Sequence, residues 1–533
     1  MMKYDRYNGD GIGRTIIYTD EPEVNSENII KVLADSFAIH DHNSEVIDYL
    51  IRYEGGRQTN YRPKTYRKDI DAKCVDNVAN EITEFKLGFI HGQPITLVQR
   101  GENDGGKEEP ESIAELNEQY AIALYPEEYQ KLARFVEICG VGYEFIDINK
   151  EYVEGDPYIS ICALDPRFSF VVRSSRLGHK VMLGVTYSVD RDGNKHIDAF
   201  TEHERYIFDS RNAQYYEGER SGEFNPLGVI PIVEWTRSAD RMGCFERQIS
   251  EMDNLNQLIS DFTNDVGQNT NAVWWANNVE FPTSVETDDD GNVVETVEHP
   301  NDGDWLETST TRDGKDPKIA PLSIDYDYEG MLNNILARRA LILQKCHVPQ
   351  RGDSENSTGI ATSAASGWDD AEVSAARQQL IMESCKMREV KVVLQAIKAS
   401  SDVPVGSRLR KLKAMDVMPS IKRQKNYELV SKMNFFATGI SHGLHPKPLI
   451  KEMNAFADPE QVYLDSKPYL DKYIKATFEK NEKSSEDAYN GYGWYRNNAS
   501  STGDGGAGER DPNADRIGQD ESDQVSNSPN IKG

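Results

Sequence analysis

The sequence predicts an α+β protein built around a protruding helical hairpin, and three observations carry that prediction. From Phe245 the apolar residues recur at Ile249, Met252, Leu255, Leu258, Ile259, Phe262 and Val266, spacings of three and four that gather them on one helix face. A second stripe, Tyr328, Met331, Leu332, Ile335, Leu336, Ile342 and Leu343, runs back, with Arg338, Arg339 and Lys345 near its C-terminal end, where cations suit the helix dipole. Between 165 and 242 the texture is β: Phe168 to Val172, Val181 to Val189 and His196 to Phe200 alternate. A single helical hairpin buries too little apolar surface to stand alone, so it is expected to be half-exposed in a monomer and packed against neighbours in an oligomer.

Composition narrows the class. The chain of 533 residues allows two to four domains or one elongated protomer, and a hydrophobic fraction of 38% is lean for one compact globule. The sequence has no apolar run of about 18 residues, and MMKYDRYNGDGIGR lacks the apolar core of a secretory signal, so the chain reads as soluble, not membrane-bound, and not exported by a conventional route. Its six scattered cysteines read as reduced thiols of a cytoplasmic protein. A net charge of −29 argues against a conventional DNA binder, whose affinity rests on cations neutralising phosphates. An acidic surface still lets a duplex pass close by without sticking.

Taken in order, residues 1–60 read as an arm with two short helical pieces, Ile29 to Phe37 and Val46 to Tyr53. Arg57 to Lys68 is a basic, Tyr-rich strip, suited either to stacking on nucleic acid or to an exposed loop over a helix. A helix is expected from about Asp71 to Phe85, stopped by Gly88, then a short strand at Ile95 to Val98 and a solvated loop over 101–112. Pro126 opens a helix that Gly140 closes, and strands follow at Val141 to Ile148 and Tyr158 to Leu164. Asp192-Gly193-Asn194 is a tight hairpin turn; with Asp190 it mimics a calcium loop, but the glycine comes too early and no glutamate follows. Asn225-Pro226-Leu227-Gly228 turns into a strand at Ile230 to Trp235.

The tip of the hairpin, 279–327, holds fourteen acids against three bases, with a turn at Asp290-Gly291-Asn292 flanked by Val273 to Val279 and Val293 to Val297. This predicts a small β-rich head. Residues 349–367 are small and polar, a shape-changing loop before the longest helical pattern, Trp368 to Ile397. Residues 404–425 form the one concentrated basic stretch, Arg408, Arg410, Lys411, Lys413, Lys422, Arg423 and Lys425, fit for phosphates, solvent or an acidic neighbour. Short helices are expected at Tyr427 to Phe436 and Lys447 to Phe456, and the Gly, Ser and Asn-rich composition after Ser484 predicts disorder.

Catalytic motifs are missing. There is no GxxxxGK[ST], GxSxG, HExxH or kinase set. Asn8 to Gly13 mimics a dinucleotide fingerprint without a preceding strand, and His442 and His445 flank a turn without a third metal ligand. No catalytic residue, cofactor or metal is assigned.

The order of parts resembles the portal proteins of tailed bacteriophages. Lys68 to Thr96 (KDIDAKCVDNVANEITEFKLGFIHGQPIT) is similar to the family's early helix ending in a G-x-x-(x)-G-x-P-(I/V) turn, Phe135 to Asp147 (FVEICGVGYEFID) to its "iyGvgYe" segment, and Leu164 to Arg167 to its "l-D-P" strand. Asn225 to Glu234 (NPLGVIPIVE), followed by Met252 to Asp265 (MDNLNQLISDFTND), resembles the family's approach to a helix containing "lidalN-x-l-Sdf-nd". The likeness spans roughly residues 60 to 475.

The resemblance implies an α+β portal fold: an N-terminal arm (1–60), an α/β wing (61–242), an outgoing stem helix (243–278), a clip (279–326), a return stem helix (327–347), a tunnel loop (348–367), a long wing helix (368–402), a helical crown (403–478) and a disordered tail (479–533). It implies a ring, commonly a dodecamer, at the unique capsid vertex, through which double-stranded DNA is packaged and ejected without sequence recognition. Partners implied are the terminase large subunit, head-completion or adaptor proteins, and the major capsid and scaffolding proteins. Channel residues would be Arg338, Arg339, Lys345, Arg351, Ser354, Asn356, Ser357 and Thr358; clip residues would be Asp288, Asp289, Asp290, Glu295, Asp302, Asp304 and Trp305. The rival readings are a hydrolase using paired carboxylates and another ring-forming virion adaptor.

Overall fold

The computed structural model describes residues 13–58, 70–100, 108–211, 214–215, 222–270, 274–277, 283–287, 293–297, 318–321, 327–350, 367–421, 423, 428–453, 456, 459 and 461–473. Helix and sheet are mixed, as an α+β chain requires. Strand β1 (Ile17–Thr19) leads into α1 (Ile29–Glu54). That helix is continuous where two short ones were expected. The polar stretch in its middle, which breaks the apolar pattern, is buried and bonded: His40 Nε2 meets the Arg167 carbonyl at 3.1 Å, and Asn43 exchanges hydrogen bonds with the backbone of Thr15 at 2.9 and 2.8 Å. Burial pushes the His40 imidazole down to about 4.

Helix α2 (Val78–Ile90) starts later than expected and runs through Gly88. The reason lies across the chain, on α5 (Ile249–Thr270), introduced here ahead of α3 (Glu108–Ile122) and α4 (Tyr125–Cys139). Buried Asn256, Ser260 and Asn264 follow one another every four residues on α5 and take the backbone of the extended segment ahead of α2 at every second residue. Asp76 N donates to Asn256 Oδ1 at 2.9 Å, Cys74 N to Ser260 Oγ at 3.0 Å and Ala72 N to Asn264 Oδ1 at 2.7 Å. Four helical residues rise ~6 Å and two extended ones ~6.6 Å, so the two repeats stay in step. Asn77 then caps α2 by accepting from Asn80 N at 3.3 Å.

Helix α3 begins inside the stretch expected to be loop, and α4 ends at Gly140, left-handed at φ 76°. A Cβ at Gly140 would stand 2.5 Å from the backbone of Arg241, so glycine serves both the turn and the close approach. A three-stranded sheet follows in the order β11 (Ile232–Thr236), β3 (Val141–Ile148), β4 (Ile159–Leu164). The larger sheet runs β1, β5 (Ser169–Ser174), β6 (Val181–Val189), β7 (Lys195–Phe200), β8 (Glu204–Arg211), β10 (Glu223–Phe224), with β9 (Gln214–Tyr215) on β8. Only β1 and β5 pair in parallel within it. The β6–β7 hairpin turns at Asp190 to Asn194: Asp190 Oδ1 accepts from the amides of Asp192 and Asn194, and Gly193 has φ 83°, which is a turn and not a calcium loop.

At the tip, β12 (Trp274–Asn277) pairs with β15 (Lys318–Pro321), and β13 (Thr283–Thr287) with β14 (Val293–Val297). The strand that pairs with Val293–Val297 is therefore 283–287, not Val273 to Val279, whose Trp274 to Asn277 pairs with a distant strand. Helix α6 (Tyr328–Lys345) returns, capped by Asp327 accepting from Gly330 N at 2.8 Å, and packs on α5.

Helix α7 (Trp368–Ala399) lies across β11 and β3. One core holds α1, the larger sheet and the facing sides of α5 and α6; a second holds α3, α4, α7 and the small sheet. The second core also takes Val403, Leu409, Leu412, Val417 and Ile421. Residues 403–421 thus pack on the same body as α3, α4, α7 and the small sheet, and β16 (Val417–Ser420) pairs with β2 (Thr96–Gln99). Beyond the four-residue α8 (Arg408–Lys411), helices α9 (Glu428–Ser441) and α10 (Pro446–Met453) pack on each other.

Candidate functional site

The start of α5, the end of α6 and the first turns of α7 converge on a cleft of about 590 Å³. Its floor is set by a buried polar cluster around Glu137 of α4. That carboxylate takes Arg237 Nε at 2.9 Å, His91 Nε2 at 3.0 Å and the amide of Gln378 on α7. Burial alone would raise the Glu137 carboxyl, but Arg237 and His91 hold it well below the usual range. The His91 ring also meets Tyr129 Oη at 2.8 Å, which fixes its orientation. Lys86, lowered by burial, donates to the His347 carbonyl at 3.3 Å and so ties α2 to the end of α6.

A second buried cluster pins α7 further along. Lys386 Nζ lies 2.6 Å from Glu389 Oε1 and 4.0 and 3.8 Å from the ring centroids of Tyr120 and Tyr125. Glu144, which accepts from Trp235 Nε1 at 3.2 Å, is pushed well up by burial and by the nearby Glu389. A third cluster sits on β11, where Glu234 takes Arg241 at 2.7 Å and Arg173 at 2.6 Å; burial opposes them, yet they hold Glu234 at about 2. Arg14 donates to the Cys139 carbonyl at 3.0 Å and pairs with Glu246 just before α5. These buried carboxylates are engaged by internal partners and serve to fix helices.

The residues picked out for the channel separate. Arg339 pairs with Asp76 at 2.9 Å and with Glu81, both in its own chain, so its charge is spent on holding α2 to α6. Arg338 donates to Asn334 at 3.0 Å and approaches Glu251 at 3.9 Å. Lys345 is exposed and lines the cleft. Arg351, Ser354, Asn356, Ser357 and Thr358 lie outside the described residues, as do Asp288, Asp289, Asp290, Asp302, Asp304 and Trp305; Glu295 sits in β14 opposite Val285.

Three arginines of the basic stretch are engaged within the structure. Arg410 donates to the carbonyls of Lys398, Ser400 and Val403, closing the C-terminal end of α7. Arg408 pairs with Glu111, and Arg423 with Glu372 and with Gln379 at 2.7 Å. Lys411 and Lys413 remain exposed, and Lys422 and Lys425 lie outside the described residues. His442 Nδ1 bonds the Thr438 carbonyl at 2.8 Å and His445 Nδ1 takes Lys447 N at 3.2 Å, both within their own turn.

Reading the sequence missed Arg377, Arg247 and Gln378, which line the cleft from α7 and from the approach to α5. Their only local signal is a polar position within a helical pattern, which most surface residues share. Apolar side chains also stay uncovered: Leu332, Leu336 and Leu341 on α6 are 46, 53 and 47% exposed, and Val373 and Leu380 on α7 are 63 and 67%.

The family profile described as phage portal protein, SPP1 Gp6-like, matches residues 33–367, more than half of the chain. The chain belongs to the phage portal protein family. No curated protein matches it by sequence. A portal protein is a structural component of the bacteriophage virion, the head–tail connector at the capsid's portal vertex that serves DNA packaging. Among the described residues of this portal protein, no helix is long and apolar enough to cross a membrane, and no group of three or more His, Cys, Asp and Glu is placed to hold a metal ion.

Proposed function

We propose that copies of this chain close into a ring at the capsid vertex, and that double-stranded DNA passes through its bore during packaging and ejection. The observation that carries this reading is a pair of leucines one turn apart on α6, Leu332 and Leu336, that share a side of the helix and stand about half in solvent. A helix face of this kind suits a heterologous contact, which closes into a ring when the rotation between copies permits. Single exposed leucines are ordinary on a protein surface; two stacked on one side of a helix in a chain of 38% hydrophobic residues are better satisfied by a neighbour.

In this reading residues 61–242 with 368–402 are the wing, 243–278 and 327–347 the stem, 279–326 the clip, 348–367 the tunnel loop, and 403–478 the crown. The acidic clip docks the terminase and later the head-completion or adaptor protein, while the wing and crown meet capsid and scaffolding proteins. The net charge of −29 keeps phosphate adhesion low, which a duplex moving both ways requires. Light scattering of the purified chain tests the proposal: ring assembly supports it, and a chain that stays single at every concentration and salt tried removes it.

A further inference from the structure

We propose that the cleft at the base of the two long hairpin helices binds phosphate groups of the DNA backbone, with Lys345 and Arg377 as its ligands. This rests on the portal reading for the source of the phosphate. Four of the lining residues are cations, Arg237, Arg247, Lys345 and Arg377, against one acid, Asp240. In a chain of net charge −29 such a local excess stands against the surrounding field.

The four cations are not equivalent. Arg237 is neutralised by Glu137 at 2.9 Å, and Arg247 by Asp240. Lys345 and Arg377 have no ion-pair partner among the described residues, and both are exposed. They come from different helices, the last turn of α6 and the third turn of α7, so their convergence depends on how those helices are docked. That docking is rigid. Gln378, next to Arg377, is buried and bonded to Glu137, while Lys86 holds the His347 carbonyl two residues beyond Lys345. The floor of the cleft is thus preorganised, and a ligand need not pay to assemble it.

The chemistry favours an oxyanion. A guanidinium presents a fork that matches phosphate, and an ammonium adds a point charge. A volume of about 590 Å³ admits a phosphodiester with its attached sugars. Two cations per copy give weak, salt-sensitive contact, compatible with a duplex that must move.

The test uses the full-length protein with Lys345→Ala, Arg377→Ala and the double variant, and Lys391→Ala as a control from the exposed side of the same α7. Binding of a short mixed-sequence duplex, with inorganic phosphate and polyglutamate as competitors, is read by fluorescence anisotropy across a salt series. The expected result is a tenfold or greater loss in the double variant, a salt-dependence slope smaller by roughly 2 per copy engaged, and a control equal to the parent protein. Phosphate should compete and polyglutamate should not. Equal duplex binding by parent and double variant overturns the proposal; binding of phosphate without duplex makes the cleft a free-anion site; preferred binding of polyglutamate makes it a dock for an acidic protein segment. Either of the last two outcomes also overturns it. Rings seen in the double variant by light scattering show that a failure here leaves the portal reading standing.

Discussion

Asn264 on the outgoing helix α5 and Ala72 of the extended segment before α2 exchange two hydrogen bonds, Ala72 N to Oδ1 at 2.7 Å and Asn264 Nδ2 to the Ala72 carbonyl at 3.3 Å. With Ser260 and Asn256 this makes a polar ladder that lets an unpaired strand lie along a helix. Replacing Asn264 or Asn256 with Ala leaves a half-buried backbone amide without its side-chain acceptor, at a cost of about 1 kcal/mol each. Chemical denaturation measures the loss. Hydrogen exchange should speed up at Ala72, Cys74 and Asp76 in the triple Ala variant while the core of α4 stays protected; unchanged exchange there removes the ladder's role.

Glu144 gives a pH signature. Its folded-state carboxyl is raised by burial and by Glu389, so folding takes up a proton, and the stability tied to that proton falls as pH rises from the ordinary carboxylate range toward the raised value. Glu144→Gln keeps an acceptor for the Trp235 indole and removes the titration. The variant should therefore gain on the parent protein steadily from about pH 4.5 upward and show no such gain below it. A difference between the two that does not change with pH contradicts the assignment.

Glu234 has the opposite sign. Held at about 2 by Arg241 and Arg173 against burial, it contributes stability above the ordinary carboxylate range that is lost as pH falls through its folded value. The size is on the order of 3 kcal/mol. Glu234→Gln should destabilise the fold at neutral pH and flatten the acid limb of a stability profile.

Arg410 closes α7 by donating to three carbonyls near its end. Arg410→Ala should cost about 1–3 kcal/mol, and Arg410→Lys should recover only part, because one ammonium cannot reproduce the fork. If instead Arg410 serves as a free phosphate contact, both variants melt like the parent protein.

Much of this molecule is legible in the chain itself. The α5 and α6 stripes, the closing Gly140, the β6–β7 turn at Gly193 and the long α7 follow from periodicity and turn chemistry, which are local. The misses are long-range. Residues 71–77 have helical spacing, but Asn256, Ser260 and Asn264 supply their backbone partners from nearly two hundred positions away, so tertiary bonding overrides the pattern. The basic run around Arg410 looks like a patch on paper because its acceptors, the carbonyls at the end of α7 and the side chains of Glu111 and Glu372, are invisible in composition. Arg339 was expected near the channel for the same reason, and its acids Asp76 and Glu81 lie far back in the chain.

The exposed leucines of α6 connect this to assembly. Leu332→Asp with Leu336→Asp should leave the melting of the single chain nearly unchanged, since both side chains are about half exposed, and should prevent association. Rings formed by the variant as readily as by the parent protein would place the contact elsewhere.

The most direct measurement is negative-stain microscopy of the purified full-length chain with its mass taken by light scattering. The account predicts annular particles with a central hole and a mass that is a whole multiple of 60.2 kDa. Compact particles of a single chain's mass under every condition tried contradict it.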